Sequence, residues 1–220
     1  MAETAAPPPA ASVAEEEAVF YHEAGLNATW TGVRLAVGAL SFLFGAFIFA
    51  FFYLRSLNSW HLWYTAKTHA PAGQGTAIML LVAVSAIIQT AGLQRIKAGR
   101  KGTWQIAALG ALVLGLAAVA LQIYELASLS FWPGASGFAS VFTGFSPVFA
   151  AIAFCALVWL ETLIMRARHI PEISFVEQPP TYAEAFAVQR FQAALSAFTV
   201  TWNYLAVVAV VAWILFYLVH

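Results

Sequence analysis

The side chains able to ligate a metal, carry a proton or attack a substrate are few here, and their positions matter more than their number. The five histidines stand at positions 22, 61, 69, 169 and 220. All five fall in expected loops or termini, whereas membrane haem is held by axial ligands, most often His, at bilayer depth, and copper or non-haem iron sites likewise need imidazole. No catalytic, cofactor-binding or metal-binding residue is therefore expected in this chain. His61 and His69 share one loop and could in principle hold a surface metal, but a solvated interfacial pair suits their setting better. Cys155 is the sole cysteine and lies in an apolar run, which excludes an internal disulfide and any CxxC motif. Every acidic residue is Glu, so the chain has no Asp for an oxygen-ligand cation cage. Nucleophilic triads, phosphate-binding glycine loops and metalloprotease motifs do not occur.

Two carboxylates draw interest, because an ionisable group at the centre of a spanning helix costs at least about 2.5 kcal/mol. Glu125 follows Tyr124 near the outer end of the expected third span, and Glu161 sits near the cytoplasmic end of the fourth. Both lie close enough to an interface for partial hydration, so a satisfied contact between helices is the plainer reading. Arg55, ending the first span, is expected at a depth similar to Glu125 and could associate with it; it could equally snorkel to a lipid phosphate. Gln89, Gln122, Ser146, Thr201 and Asn203 add neutral polar groups to the spans, and Gly38, Gly45, Gly110, Gly115 and Gly144 add small surfaces for close packing. These groups form no line of acids and bases for a hopping proton. Pro147 removes a backbone bond and predicts a kink, which could open a lipid cleft beside Ser146.

The elements that must position these residues are set by composition. Apolar residues make up 62% and charged residues 9% of the chain, against roughly 45–50% and 25% in soluble domains, which makes this a membrane protein. The sequence predicts an all-α bundle of five transmembrane helices over about 33–55, 76–95, 104–126, 138–164 and 191–219, within a single domain from 19 to 220. Residues 1–18, rich in Ala, Pro and Glu, read as a disordered tail with neither the basic region nor the apolar run of a signal peptide. Between the first two spans, Trp60, His61, Trp63 and Tyr64 suggest an interfacial loop. A basic turn, 97–102, joins the second and third; the Pro-rich stretch from Arg166 to Arg190 reads as a crossing loop. With the N-terminus cytoplasmic, Arg34, Arg95, Lys97, Arg100, Lys101, Arg166, Arg168 and Arg190 lie inside and only Arg55 and Lys67 outside. The positive-inside rule then puts the C-terminus outside.

Four segments, taken in order, resemble the cytochrome oxidase subunit III family. The first span ends in a phenylalanine-rich run from Leu43 to Arg55, similar to that family's phenylalanine-rich helix; the third ends Leu121-Gln122-Ile123-Tyr124-Glu125, resembling its Leu-Gln…Glu segment. Gly137-Phe138-Ala139-Ser140-Val141-Phe142 is similar to the family's Gly-x-x-x-Ser-x-Phe-Phe opening of the next helix, and Thr201-Trp202-Asn203-Tyr204-Leu205 resembles its Tyr-Trp-His-Phe-Val. The collinear match covers about residues 32 to 219 and implies the five-helix form with an inside N-terminus. The departures are pointed. Leu40 stands where family members commonly carry a membrane-buried Glu, and Ser146 and Phe149 where two histidines of a Thr-Gly-Phe-His-Gly-x-His run would be; Asn203 and Ala206 replace His and Asp.

The resemblance, with those polar groups stripped, implies a non-catalytic subunit III-like component of a haem-copper terminal oxidase in the cell inner (plasma) membrane. Haem and copper are then expected in partner subunits, notably the catalytic subunit I, with bound phospholipid on this chain and no nucleic acid partner. Arg55, His61, Tyr124, Glu125, Trp202 and Asn203 are the candidate lipid or inter-helix polar contacts. An accessory subunit of a related nitric oxide reductase, a small transporter and an assembly factor are the competing readings. The transporter is disfavoured by the absence of an internal repeat and by a midplane nearly free of charge.

Overall fold

The computed structural model describes residues 10–58, 63, 68–170 and 182–219. Five helices follow in order: α1 (Ala10–Ser56), α2 (Ala72–Lys97), α3 (Lys101–Ala127), α4 (Gly137–His169) and α5 (Tyr182–Trp213), the last continuing into a single π-helical turn, Ile214–Leu218. All five are long and apolar enough to cross a membrane, and no strand occurs among the described residues. The bundle forms a ring in which α5 packs on α1 and α2, α2 on α3, α3 on α4 and α4 on α1, closed across the middle by contact between α4 and α5.

The helices run past the expected spans at both ends. α1 is described from Ala10, inside the stretch expected to be a disordered tail, because Ala and Glu are strong helix formers and extend the helix that follows. Its 47 residues would extend about 70 Å, more than twice the roughly 30 Å of a hydrocarbon core. The 22 residues after Arg34 suffice to span, so the N-terminal part projects beyond the bilayer. Two histidines assigned to loops or termini are thus helical: His22 lies in this extension and His169 is the last residue of α4. Both fall where a helix has outrun the membrane, which is why a hydropathy reading missed them. His61, with the proposed His61–His69 pair, and His220 lie outside the described residues, as do positions 1–9 of the tail and residues 171–181 of the Arg166–Arg190 stretch. The two ends of that expected loop are helical instead, 166–169 closing α4 and 182–190 opening α5, because both helices continue past the apolar spans.

Small residues dictate how closely the helices approach. The buried stripe of α3 runs Ala108, Ala111, Gly115, Ala118, Gln122, Glu125, spaced by three and four so that it stays on one face. Gly115 is where α3 meets α4 and α5: a Cβ there would lie 2.5 Å from Leu157 Cδ2 and 3.1 Å from Trp202 Cζ2. The α2–α3 hairpin turns through Gly99 at φ +76°, with Gly99 N–H donating to Ile96 O and Arg100 N–H to Arg95 O, the paired bonds of a Schellman cap. Ser136 caps α4 by accepting from Ala139 N–H at 3.0 Å. α4 is the most buried of the five, with 44% of its apolar stretch buried against 11% for α1, and it runs unbroken through Pro147.

The expected interfacial loop behaves differently at its one described aromatic residue. Trp63 is 4% exposed, edge-on to Phe51 at 4.9 Å and to Phe138 at 6.1 Å, and its carbonyl accepts from Phe138 N–H at the start of α4. Gly137 leaves the room, since a Cβ there would come within 2.9 Å of the Trp63 ring. The indole is a core residue tying the α1–α2 connection to α4 instead of an interfacial anchor.

Gly115→Val is expected to cost roughly 1–3 kcal/mol through overpacking. Gly110→Val, on the open side of the same helix with nothing within 4 Å, serves as the comparison and should leave stability unchanged or slightly raised. Thermal unfolding of both variants in detergent measures the difference.

Candidate functional site

Among the described residues, the polar side chains within the spans fall into three main groups of contacts between helices, with a further Ser41–Tyr204 contact between α1 and α5. At mid-bundle, Trp202 on α5 is fully buried and its indole N–H donates to Ser85 Oγ on α2 at 3.0 Å; Ser85 in turn donates to the Ala111 carbonyl on α3 at 2.7 Å. One chain of two hydrogen bonds thereby links three helices. The Trp202 ring stacks on Phe198 one turn earlier, and Phe198 meets Trp159 of α4 edge-on. Trp202 is therefore held on both sides, by aromatic packing and by a polar tip with a partner, as a buried indole requires.

On the next residue, Asn203 Nδ2 donates to Thr90 Oγ1 at 3.0 Å, while the threonine hydroxyl reaches the Ala86 carbonyl at 2.8 Å. This pair lies on the wall of a groove of about 620 Å³ between α2 and α5, lined otherwise by Gln94 and by small and aliphatic residues such as Ala83, Ala86, Val207 and Val210. A separate pocket of about 150 Å³ between α1 and α5 is almost wholly aromatic and aliphatic, with Phe44, Phe47 and Phe51 on its walls. Its polar contact is Tyr204, whose hydroxyl lies 3.0 Å from Ser41 Oγ, itself bonded to the Val37 carbonyl.

The third contact joins the ends of α3 and α5. Glu125 is 1% exposed, and its Oε1 accepts from the Tyr217 hydroxyl at 2.7 Å. The π turn aims this phenol inward, and Gly75 near the start of α2 makes way for it: a Cβ at position 75 would collide with the Tyr217 ring. One turn earlier, Trp213 Nε1 donates to Thr76 Oγ1 at 2.9 Å, binding α5 to α2 at the same end. Phe216, also on the π turn, packs edge-on to Phe51 of α1 and to Phe138 and Phe142 of α4. The turn thus presents one residue to the aromatic core and the next to the carboxylate. Single π turns are often found where a helix must re-aim side chains.

Set against the sequence reading, Glu125, Trp202 and Asn203 are each engaged with another helix. Arg55 is half-buried in the last turn of α1, and the partner of Glu125 is Tyr217 instead of Arg55. Tyr124 is 60% exposed and turns away from its neighbour's contact. Glu161 is exposed on the flank of α4, eight residues before that helix ends. Ser146 and Phe149 face the interior beside Glu125, and Ser146 borders a pocket shared by α2, α3, α4 and the end of α5. Ser85, Thr90, Gly75 and Tyr217 were missed. The spacing of Gln122 and Glu125, three apart and so on one face, is a signal that could have marked a buried polar stripe, but nothing in the local sequence around Tyr217 marks it as the partner of Glu125.

No protein-family model matches the chain, and no curated protein matches its sequence. The fold and these contacts define a multi-pass integral membrane protein of five spanning helices, held together by polar contacts at three levels.

The Trp202–Ser85 bond is expected to contribute roughly 0.5–1.5 kcal/mol, the range of hydrogen bonds between membrane helices. A double-mutant cycle of Ser85→Ala and Trp202→Phe, read by denaturant titration in mixed micelles, should return a coupling energy of that size. Additive single effects would mean that the bond contributes nothing to stability.

Proposed function

We propose that this chain is a non-catalytic, subunit III-like component of a haem-copper terminal oxidase, supporting the catalytic subunit by helix packing and by holding lipid. The observation that carries the reading is the destination of the polar groups in the family-like segments. Glu125 of the Leu121–Glu125 segment and Trp202 and Asn203 of the Thr201–Leu205 segment are all engaged with other helices of the same chain, where they stabilise the bundle. At Leu40, the position of the family's buried Glu, an aliphatic side chain packs against the core. A scaffold of this kind meets its neighbours through its outer face, and that face is apolar: Leu35, Phe42 and Phe49 of α1 are 69%, 85% and 69% exposed. A helix so exposed suits contact with lipid or with another membrane subunit.

In this reading haem and copper belong to the catalytic subunit, and the electron-transfer chemistry is performed there. Acyl chains of phospholipid fit the aromatic pocket between α1 and α5 and the small-residue groove between α2 and α5. The membrane is the inner (plasma) membrane of the cell, with the N-terminus inside, as the distribution of Arg and Lys favours.

A pull-down of the tagged chain in mild detergent is expected to bring down a haem-bearing subunit I, seen by mass spectrometry and by the visible spectrum of the eluate. Recovery with a nitric-oxide-reducing catalytic chain would move the assignment to that enzyme. Haem absorbance from the isolated chain, or recovery of this chain only with incomplete assemblies, would overturn it. Orientation is checked separately in a Cys155→Ser background. Ala135→Cys, in the α3–α4 turn, should react with a membrane-impermeant maleimide on intact cells, while Ala98→Cys, in the α2–α3 turn, should react only after permeabilisation.

A further inference from the structure

Beside the Glu125–Tyr217 bond lies a pocket of about 30 Å³ bordered by α2, α3, α4 and the end of α5. Gln122 and Ser146 line it together with Glu125 and Tyr217, and the three from α3 and α4 are more than nine-tenths buried: Gln122 is 6%, Glu125 1% and Ser146 2% exposed. Among the described residues neither Gln122 nor Ser146 has a hydrogen-bond partner. The contrast within the same protein is clear. Ser41, Thr90, Thr143 and Thr199 all bond to the carbonyl four residues back, the usual way a hydroxyl is satisfied inside a spanning helix, whereas Ser146 does not. Glu125 has one oxygen engaged by Tyr217 and lines the same space.

Unpaired polar groups at such burial are costly, and a water is the usual remedy where the site is polar and roomy enough. Both conditions hold. A single water needs about 10–15 Å³ and two to four polar partners, and this pocket offers about twice that volume with an amide, a hydroxyl and a carboxyl. A carboxylate with one hydrogen bond is also poorly placed at membrane depth, while a neutral carboxyl needs an acceptor for its own proton. Among the residues that line the pocket from α2, α3, α4 and α5, the titratable ones are Glu125 and Tyr217. No cation faces the carboxyl there to hold it ionised.

We propose that this pocket binds one or two water molecules that bridge a protonated Glu125 to Gln122 and Ser146, making Glu125 a proton-exchanging site at the end of the bundle. Tyr217 donates to Glu125 Oε1, the carboxyl O–H donates to the water, and the water donates to the Gln122 carbonyl oxygen and to Ser146 Oγ. Glu125 is two residues from the end of α3, so a proton exchanging with bulk solvent has only a short way to travel along the helix. On release, the carboxyl proton passes to that water and leaves as hydronium, and the return path protonates the same oxygen. The proposal does not depend on the oxidase assignment and holds for this chain in any assembly.

Infrared spectroscopy of the full chain in lipid nanodiscs, in H2O and in D2O, tests it. A carboxylic-acid C=O band at neutral pH is expected, shifting down in D2O, lost in Glu125→Gln and moved in frequency by Gln122→Leu and by Ser146→Ala. A wild-type band that Glu125→Gln leaves in place, one that fails to exchange, or one that both pocket variants leave unmoved would overturn the proposal. Should Glu125→Gln not fold, the two pocket variants decide the matter through the wild-type carboxyl. A cryo-electron microscopy map fine enough to show waters gives an independent reading: density bridging Glu125, Gln122 and Ser146 supports the proposal, and direct side-chain contact closing the pocket sinks it.

Discussion

Apolar helices gain little by burying their surfaces against one another in a bilayer, because lipid tails are as apolar as the leucines they would replace. Association therefore has to come from close fit and from hydrogen bonds that lipid cannot supply. Both means are concentrated where α5 passes between its neighbours. The stripe of Ala and Gly on α3 lets the backbone come near enough for Ser85 to reach the Ala111 carbonyl, and that serine hydroxyl then serves as acceptor for the Trp202 indole. A bulkier residue at position 115 would displace Trp202 and Leu157 together, so the fit and the bond depend on one glycine.

A second concentration of order lies at the end where α3 and α5 terminate. Here the constraint is geometric. An α-helix continuing through Ile214–Leu218 would advance its side chains by the regular 3.6 residues per turn, but the π turn widens that step and lets Phe216 and Tyr217 serve two different surroundings. Phe216 joins the rings of α1 and α4, with Trp63 completing the aromatic cluster through Phe51 and Phe138. Tyr217 satisfies a carboxyl oxygen that would otherwise be stranded. A buried polar contact thus lies against an aromatic cluster, and Glu125 stands two residues from the end of α3.

The periphery follows from the same economy of contacts. α1 packs on α4 and α5 along one narrow face and leaves most of its large side chains outward, whereas α4 is the most buried of the five. A helix held so lightly within its own chain is suited to being covered from outside, by lipid or by a neighbouring subunit. The supporting role proposed for the chain rests on this asymmetry as much as on the family-like segments.

By itself the sequence determined what depends on counting and on local pattern. Five spans followed from the length of apolar runs, and the tight α2–α3 hairpin from its basic Gly-containing turn. Local pattern also misled where burial was decided at a distance: Trp63 has the composition of an interfacial anchor, yet space left by Gly137 draws it into the core. The tail was read from composition as unstructured because its helix gains from continuity with α1, a property of the longer element and not of those residues alone. Only the tertiary structure decided the partners. Tyr217 reaches Glu125 across 92 residues of sequence, Trp202 reaches Ser85 across 117 and Asn203 reaches Thr90 across 113. Spacing along a chain cannot encode such meetings, because they depend on which helices become neighbours in the ring and on how one π turn rotates the last of them.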